Sequence, residues 1–223
     1  MKTKTNYLYF IFLSLISVSL TLISCEKDIR EFDVSGKVYD PKLKKNVSNA
    51  EVVLRASKIK SGIYNSTYVD LQSTNTSSDG TYSFQTPEEI VSGYRFYFNK
   101  KDYFDQLIDI ETEDLQRNDG FNLNVNLIPI AYVKLTVENT SPVGSEDEIR
   151  FRFKNVEVQC KDCWNKEIIT GLGPTYYYSR TAQTSGENDL IIEWVVKKGG
   201  QQHIYTDTLR TKAFQTINYN INY

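Results

Sequence analysis

Phe121-Asn122-Leu123-Asn124-Val125-Asn126-Leu127 sets apolar side chains and asparagines in strict alternation. A period of two sends one face to a core and the other to water, so this stretch predicts a half-buried β-strand. The pattern returns where Ile217, Tyr219, Ile221 and Tyr223 alternate with Asn218, Asn220 and Asn222. It also appears where Ile149, Phe151 and Phe153 alternate with Arg150, Arg152 and Lys154. The apolar parity then shifts to Val156 and Val158, which predicts a bulge or turn near Asn155. Asp79-Gly80, Asp119-Gly120 and Gly199-Gly200 punctuate these runs as turns. Asn188 to Thr211 reads as a strand, a Gly-Gly hairpin turn and a returning strand. With 16 Tyr and 11 Phe against a single Met, composition leans the same way. The aromatic load reads as cross-strand packing rather than a platform for sugars. Pro87 to Gly93 reads as one short turn of helix, and no longer helix is expected after Cys25.

The expected fold class is therefore all-β, as two tandem antiparallel β-sandwiches. Leu127-Ile128-Pro129-Ile130 marks the boundary, because proline cannot donate to a central ladder and belongs at an edge or junction. Residues 32–128 and 131–223 are each the size of one antiparallel sandwich. No Gly/Ser-rich linker separates them, so a tight junction is expected.

Ahead of the first strand, Lys2 and Lys4 precede an uncharged run from Thr5 to Ser24. A basic start, an apolar stretch and small residues form a secretory signal, here residues 1–24. Leu22-Ile23-Ser24-Cys25 resembles the bacterial lipobox, in which cleavage falls just before a cysteine that then carries lipid. This implies a lipidated Cys25, a short tether through residue 31, and two or more acyl chains holding the protein to a membrane without spanning it. The implied location is extracytoplasmic, at an outer membrane on its periplasmic or external side.

Cys160-Lys161-Asp162-Cys163 is the remaining cysteine pair. Such a spacing suits half a zinc site, a redox dithiol or a disulfide across a turn. With His203 the sole histidine and no second C-x-x-C, a four-ligand zinc site lacks its ligands. The flanking segments read as strands, whereas a thioredoxin-type dithiol opens a helix. Outside the cytoplasm disulfides persist, and the reading favours a staple across a β-turn, with free thiols as the alternative.

Four blocks resemble the carboxypeptidase regulatory-like domain, a transthyretin-like sandwich frequent in surface proteins of Bacteroidetes. They are Val34–Asp40 ("VSGKVYD"), Val47–Leu54 ("VSNAEVVL"), Thr76–Phe84 ("TSSDGTYSF") and Tyr94–Asp105 ("YRFYFNKKDYFD"). A polar stretch from Ser57 to Asn75 stands as an insert between the second and third. The resemblance implies a fold and no activity. The second half is similar to an immunoglobulin-like sandwich.

Function is less legible. The 26 basic and 28 acidic residues form no basic stripe, which argues against nucleic acid. His203 follows Gly199-Gly200 and reads as a hairpin-end surface residue, so a Ser/His/Asp site has no other base to draw on. No residue pattern asks for a cofactor or metal. The expectation is a non-enzymatic, lipid-anchored envelope protein, a structural or binding module whose partners are the membrane and an envelope protein or glycan. The alternative is a carbohydrate-binding lipoprotein accessory to a glycan-uptake system, stacking sugars on Trp164 or on Tyr176, Tyr177 and Tyr178. A carboxylate pair for glycoside hydrolysis is a third reading, unmarked by any motif. Thr208, in Asp207-Thr208-Leu209, fits the short O-glycosylation pattern of Bacteroidetes.

Overall fold

Phe32, Val34, Gly36 and Val38 all point inward along β1 (Glu31–Asp40), the strand around which the first half is built. The computed structural model describes residues 30–58, 67–115 and 120–223. The signal segment, Cys25, most of its tether and Asp119 lie outside those residues. Along the first half follow β2 (Lys45–Asn46), β3 (Glu51–Lys58), β4 (Tyr68–Asn75), β5 (Thr81–Pro87), β6 (Val91–Asn99) and β7 (Gln106–Ile110). A single helical turn, α1 (Thr112–Leu115), precedes β8 (Phe121–Asn122) and β9 (Val125–Asn126). One sheet holds β2-β1-β5 with β8 and β9 also on β1; the other runs β4-β3-β6-β7. Between them lie Val38, Val52, Leu54, Phe96 and Phe98, all fully buried.

The alternating stretch 121–127 keeps its phase: Val125 and Leu127 are buried and Asn122, Asn124 and Asn126 exposed. It runs parallel to β1, with Val34 opposite Phe121 and Val38 opposite Val125. Gly36 explains why the strands come so close. A Cβ there would overlap the Leu123 carbonyl oxygen and lie 2.7 Å from the Tyr82 hydroxyl, which itself donates to that carbonyl at 2.8 Å. At the Asp79-Gly80 turn, Ser77 and Thr81 donate to the Asp79 carboxylate and hold its pKa down at about 2.

The second half contains β10 (Ile130–Glu138), β11 (Glu148–Phe153), β12 (Ile169–Leu172), β13 (Tyr177–Ser185), β14 (Asp189–Lys198), β15 (Gln201–Arg210) and β16 (Thr216–Asn222). Its sheets are β13-β10-β16 and β12-β11-β14-β15. Val133, Leu135, Ile149, Phe151, Leu190 and Ile192 fill the space between them. β16 lies parallel to β10, from Tyr132 opposite Thr216 to Glu138 opposite Asn222. A fully antiparallel sandwich was expected; in each half the opening strand instead takes parallel partners, β8 and β9 on β1 and β16 on β10. A period of two is identical in both directions, so alternation does not distinguish them.

A third cluster of Phe104, Ile130 and Cys163, with Ile128, Tyr132 and Val158, sits where the halves meet. Ile130 donates to the Asp102 carbonyl at 2.8 Å, Phe214 donates to that of Ile130 at 2.7 Å, and Tyr103 packs edge-on to Phe214 at 5.4 Å. Lys42 pairs with Glu157 at 2.8 Å. Phe32–Tyr223 accordingly forms one compact unit.

Three local expectations need correction. Pro87 to Gly93 is no helical turn: it ends β5 and opens β6, where Gly93 pairs with Ser57, and Ile90 is exposed rather than buried. Ser57 to Asn75 is no plain insert. It ends in β4, which pairs with β3 as an edge strand exposed along most of both faces, so no alternation betrays it. The flanks of Cys160 and Cys163 are strands only at their far ends, Phe151–Phe153 and Ile169–Thr170; residues 154–168 between them form a loop from β11 to β12.

Candidate functional site

The loop after Phe153 is set by Asn155. Its amide oxygen accepts from Ile191 N–H at 2.7 Å and its amide nitrogen donates to the Asp189 carbonyl, capping β14 where β11 leaves it. Further on, Trp164 N–H donates to the Gln183 carbonyl at 2.9 Å and Gln183 N–H to that of Asp162 at 3.0 Å, so the loop docks on the edge of β13. Cys160 and Cys163 are bonded, with Cα atoms 5.0 Å apart, across the turn in this loop. Cys163 is buried and belongs to the junction cluster.

Trp164 is not a stacking platform. It is 2% exposed, its indole N–H donates to the Val133 carbonyl at 3.1 Å, and its ring lies 4.8 Å from that of Phe153. Arg180 covers the other side at 4.9 Å and donates to the Cys163 carbonyl at 3.1 Å. The indole is a plug that fastens the disulfide loop to the core.

Tyr176, Tyr177 and Tyr178 do not form a coplanar group either. Tyr178 packs edge-on to Phe151 at 5.3 Å, and Tyr176 lies over Gly171, where any side chain would overlap its ring. Burial, with a smaller contribution from Tyr178, raises the Tyr176 pKa. Tyr177 alone of the three is well exposed, at 61%. They alternate between core and water as strand residues do.

His203, Tyr205, Asp207 and Leu209 share one face of β15, and Gln202, Ile204, Thr206 and Thr208 the other. His203 is exposed. Thr208 is exposed too, and its N–H donates to Asp207 at 2.7 Å. Asp207 also accepts from the Tyr219 hydroxyl at 2.6 Å, which lowers the carboxyl pKa; burial, and then this bond, raise the phenol's. Among the described residues no three His, Cys, Asp or Glu side chains are grouped to hold a metal ion. No helix among them is long and apolar enough to cross a membrane.

Two features escaped sequence reasoning. Asn139 and Asp147 are buried at one end of the second sandwich. The Asn139 amide donates to Asp147 at 2.9 Å, while Lys198 donates to the Asn139 amide oxygen at 2.7 Å and the Ser141 carbonyl at 2.8 Å. Val143 and Gly144 N–H groups also reach Asp147, and these donors, Asn139 first, lower its pKa. Lys198 lies 4.7 Å over the Tyr223 ring, so the cluster ties together the ends of β10, β14 and β16. The signal was present: Lys198 continues the inward parity of Leu190, Ile192, Trp194 and Val196. The second feature is a shallow groove of about 410 Å³ on the solvent face of β11, β14 and β15, lined by Arg150, Arg152, Glu193, Val195 and Ile204 among others. Lys154 at 2.7 Å, and less strongly Arg152 at 3.1 Å, pair with Glu193 and lower its pKa.

The described residues form an all-β arrangement in which Asn139, Asp147 and Asn155 tie strand ends and loops together. No protein-family model matches the sequence, and no curated protein is significantly similar to it. Among solved structures, the chain is similar to the Bacillus anthracis TIE protein, at 11% identity and a TM-score of 0.34 over 86% of this chain. It spans 34% of that protein's length. It is also similar to the shaft pilin SpaA of Lactobacillus rhamnosus GG, at 7% identity and a TM-score of 0.33 over 86% of this chain and 98% of that one. The minor pilin GBS52 of Streptococcus agalactiae follows, at 10% identity and 0.32, over 86% and 94%.

Proposed function

We propose that this is a lipid-anchored, non-enzymatic module of a bacterial cell envelope, displayed outside the cytoplasm as a structural or binding element. The observation that carries the reading is Leu22-Ile23-Ser24-Cys25 behind a basic start and an uncharged run. A bonded Cys160–Cys163 pair suits an oxidising compartment. Engagement of Asp40, Asp147 and Asp207 in hydrogen bonds that fix turns and strand ends favours a scaffold over a catalyst. For the first half we propose a carboxypeptidase regulatory-like sandwich. The four sequence blocks run along β1, β3, β5 and β6, and Gly36 of "VSGKVYD" sits under the Leu123 carbonyl.

Metabolic labelling with a fatty-acid analogue tests the anchor. The wild-type chain takes up label and partitions with membranes, whereas Cys25→Ala does neither. A Cys25→Ala protein labelled as strongly as the wild type would overturn the proposal.

A further inference from the structure

We propose that the outer edge of β15 is a self-pairing surface, at which a second copy of this chain adds its own β15 antiparallel about Ile204. The hairpin fixes which backbone groups are on offer. Gly199 and Gly200 have φ of 53° and 78°, the left-handed pair of a two-residue turn, and Lys198 faces Gln201 across it. Those flanking residues form a hydrogen-bonded pair, and such pairs recur at every second position. His203, Tyr205, Asp207 and Leu209 therefore bond inward to β14. The N–H and C=O groups of Gln202, Ile204, Thr206 and Thr208 point away from it. β15 ends its sheet, and no other strand among the described residues pairs with it.

Exposed edges in soluble proteins are blunted by lysine, proline, bulges or inward charges. Here that protection covers one end only. Thr208 N–H is taken by Asp207 at 2.7 Å, and Arg210 pairs with Asp189 at 3.1 Å. Gln202 to Thr206 carries no proline, no lysine and no carboxylate. The register with β14 runs without a shift from Gln201 to Arg210. Ile204 is 70% exposed on one face and Tyr205 44% on the other.

The register explains why the occupant is a second copy. With three open residues and Ile204 in the middle, an antiparallel two-fold sets Ile204 on Ile204, Gln202 on Thr206 and His203 on Tyr205. Asp207 then faces Gln201, so no like charges meet across the seam. The Ile204 side chains come together beside Val195 on the solvent face. Tyr205, already stacked on Trp194 at 5.4 Å, gains an imidazole neighbour on the other face. The interface is isologous, as closed dimers require.

The whole chain in detergent, followed by light scattering over a concentration series, should shift from the mass of one chain to that of two. Ile204→Lys places two ammonium groups in the central pair and should raise the dissociation constant by at least about tenfold, with an unchanged circular dichroism spectrum. Ile204→Cys places partner Cα atoms about 5.5 Å apart, within reach of a short bismaleimide. Thr208→Cys places them about 27 Å apart, eight residues at roughly 3.4 Å each, and should not cross-link above the wild-type background. A single-chain mass at every concentration overturns the proposal and leaves the edge to a strand of another protein. A dimer untouched by Ile204→Lys, or equal cross-linking at 204 and 208, overturns it as well.

Discussion

The side chain that Gly36 lacks has nowhere to go, because the Leu123 carbonyl and the Tyr82 hydroxyl already occupy its place. Gly36→Ala should cost about 1–3 kcal/mol, the usual penalty of forcing atoms into a packed site. Gly144→Ala, with nothing within 4 Å, should stay within about 0.5 kcal/mol. Urea titration of both variants checks the contrast. Acid acts on the fold through Asp147. Asp147 has its pKa lowered in the fold by Asn139 and by the Val143 and Gly144 N–H groups. The unfolded chain therefore takes up that proton first. The contribution is complete above about pH 4, the ordinary carboxylate range, and is lost as pH falls through the lower folded value. Asp147→Asn should flatten the stability profile below about pH 4, measured as denaturation midpoint against pH. Sequence reading placed Gly36 within a motif without its reason, since the reason is a carbonyl in a distant strand. The Asn139–Asp147 cluster was only half legible: the inward parity of Lys198 was readable along β14, but its partner Asn139 lies 59 residues away.

At the scale of elements, the strands with one buried face were legible, because each carries its own period. Phe121 to Leu127, Ile149 to Phe153 and β14 lie as their alternation implies, and β15, exposed along nearly all its length, was found through the Gly199-Gly200 turn instead. The elements that were missed lack that asymmetry. β4 is exposed on both faces, and the 154–168 loop earns its apolar residues by docking rather than by alternating. Val156 is buried without belonging to a strand, which is how the loop came to resemble one. This loop supports a ranking. A four-residue disulfide ring contributes at most about 2 kcal/mol on the chain-entropy model. Removing a buried Trp costs about 3–5 kcal/mol. Trp164→Ala should therefore destabilise the protein more than the paired Cys160→Ser and Cys163→Ser change, as read by denaturant midpoints. Mass spectrometry of the unreduced, alkylated wild type should find neither Cys160 nor Cys163 modified.

For the whole molecule, the two apolar cores draw on residues 34–127 and 133–221, with Phe104, Ile130 and Cys163 closing the seam. Pro129 is bridged to Tyr103, next to residues of this seam. The cation and ring pairs that lock it were not legible, because Lys42, Tyr103, Glu157 and Phe214 meet from distant segments. We propose that residues 32–128 and 131–223 fold as separate domains across this seam. Deleting residues 131–223 should leave a folded first sandwich that is less stable and prone to associate, since Phe104 and Ile128 lose their cover. Circular dichroism with light scattering reads both outcomes; an unstructured fragment would refute the division.

In both halves, the opening strand takes a late strand of that half as its parallel neighbour: β1 takes β8 and β9, and β10 takes β16. This turns architecture into timing. Val34 waits for Phe121, and Tyr132 waits for Thr216, before either sheet is complete. Long-range pairing of this kind must close a large loop before any contact rewards it, so it forms slowly. A chain threaded through a membrane from its N-terminus would reach the far side with each sandwich still open. Neither core would shut until its last strand had crossed.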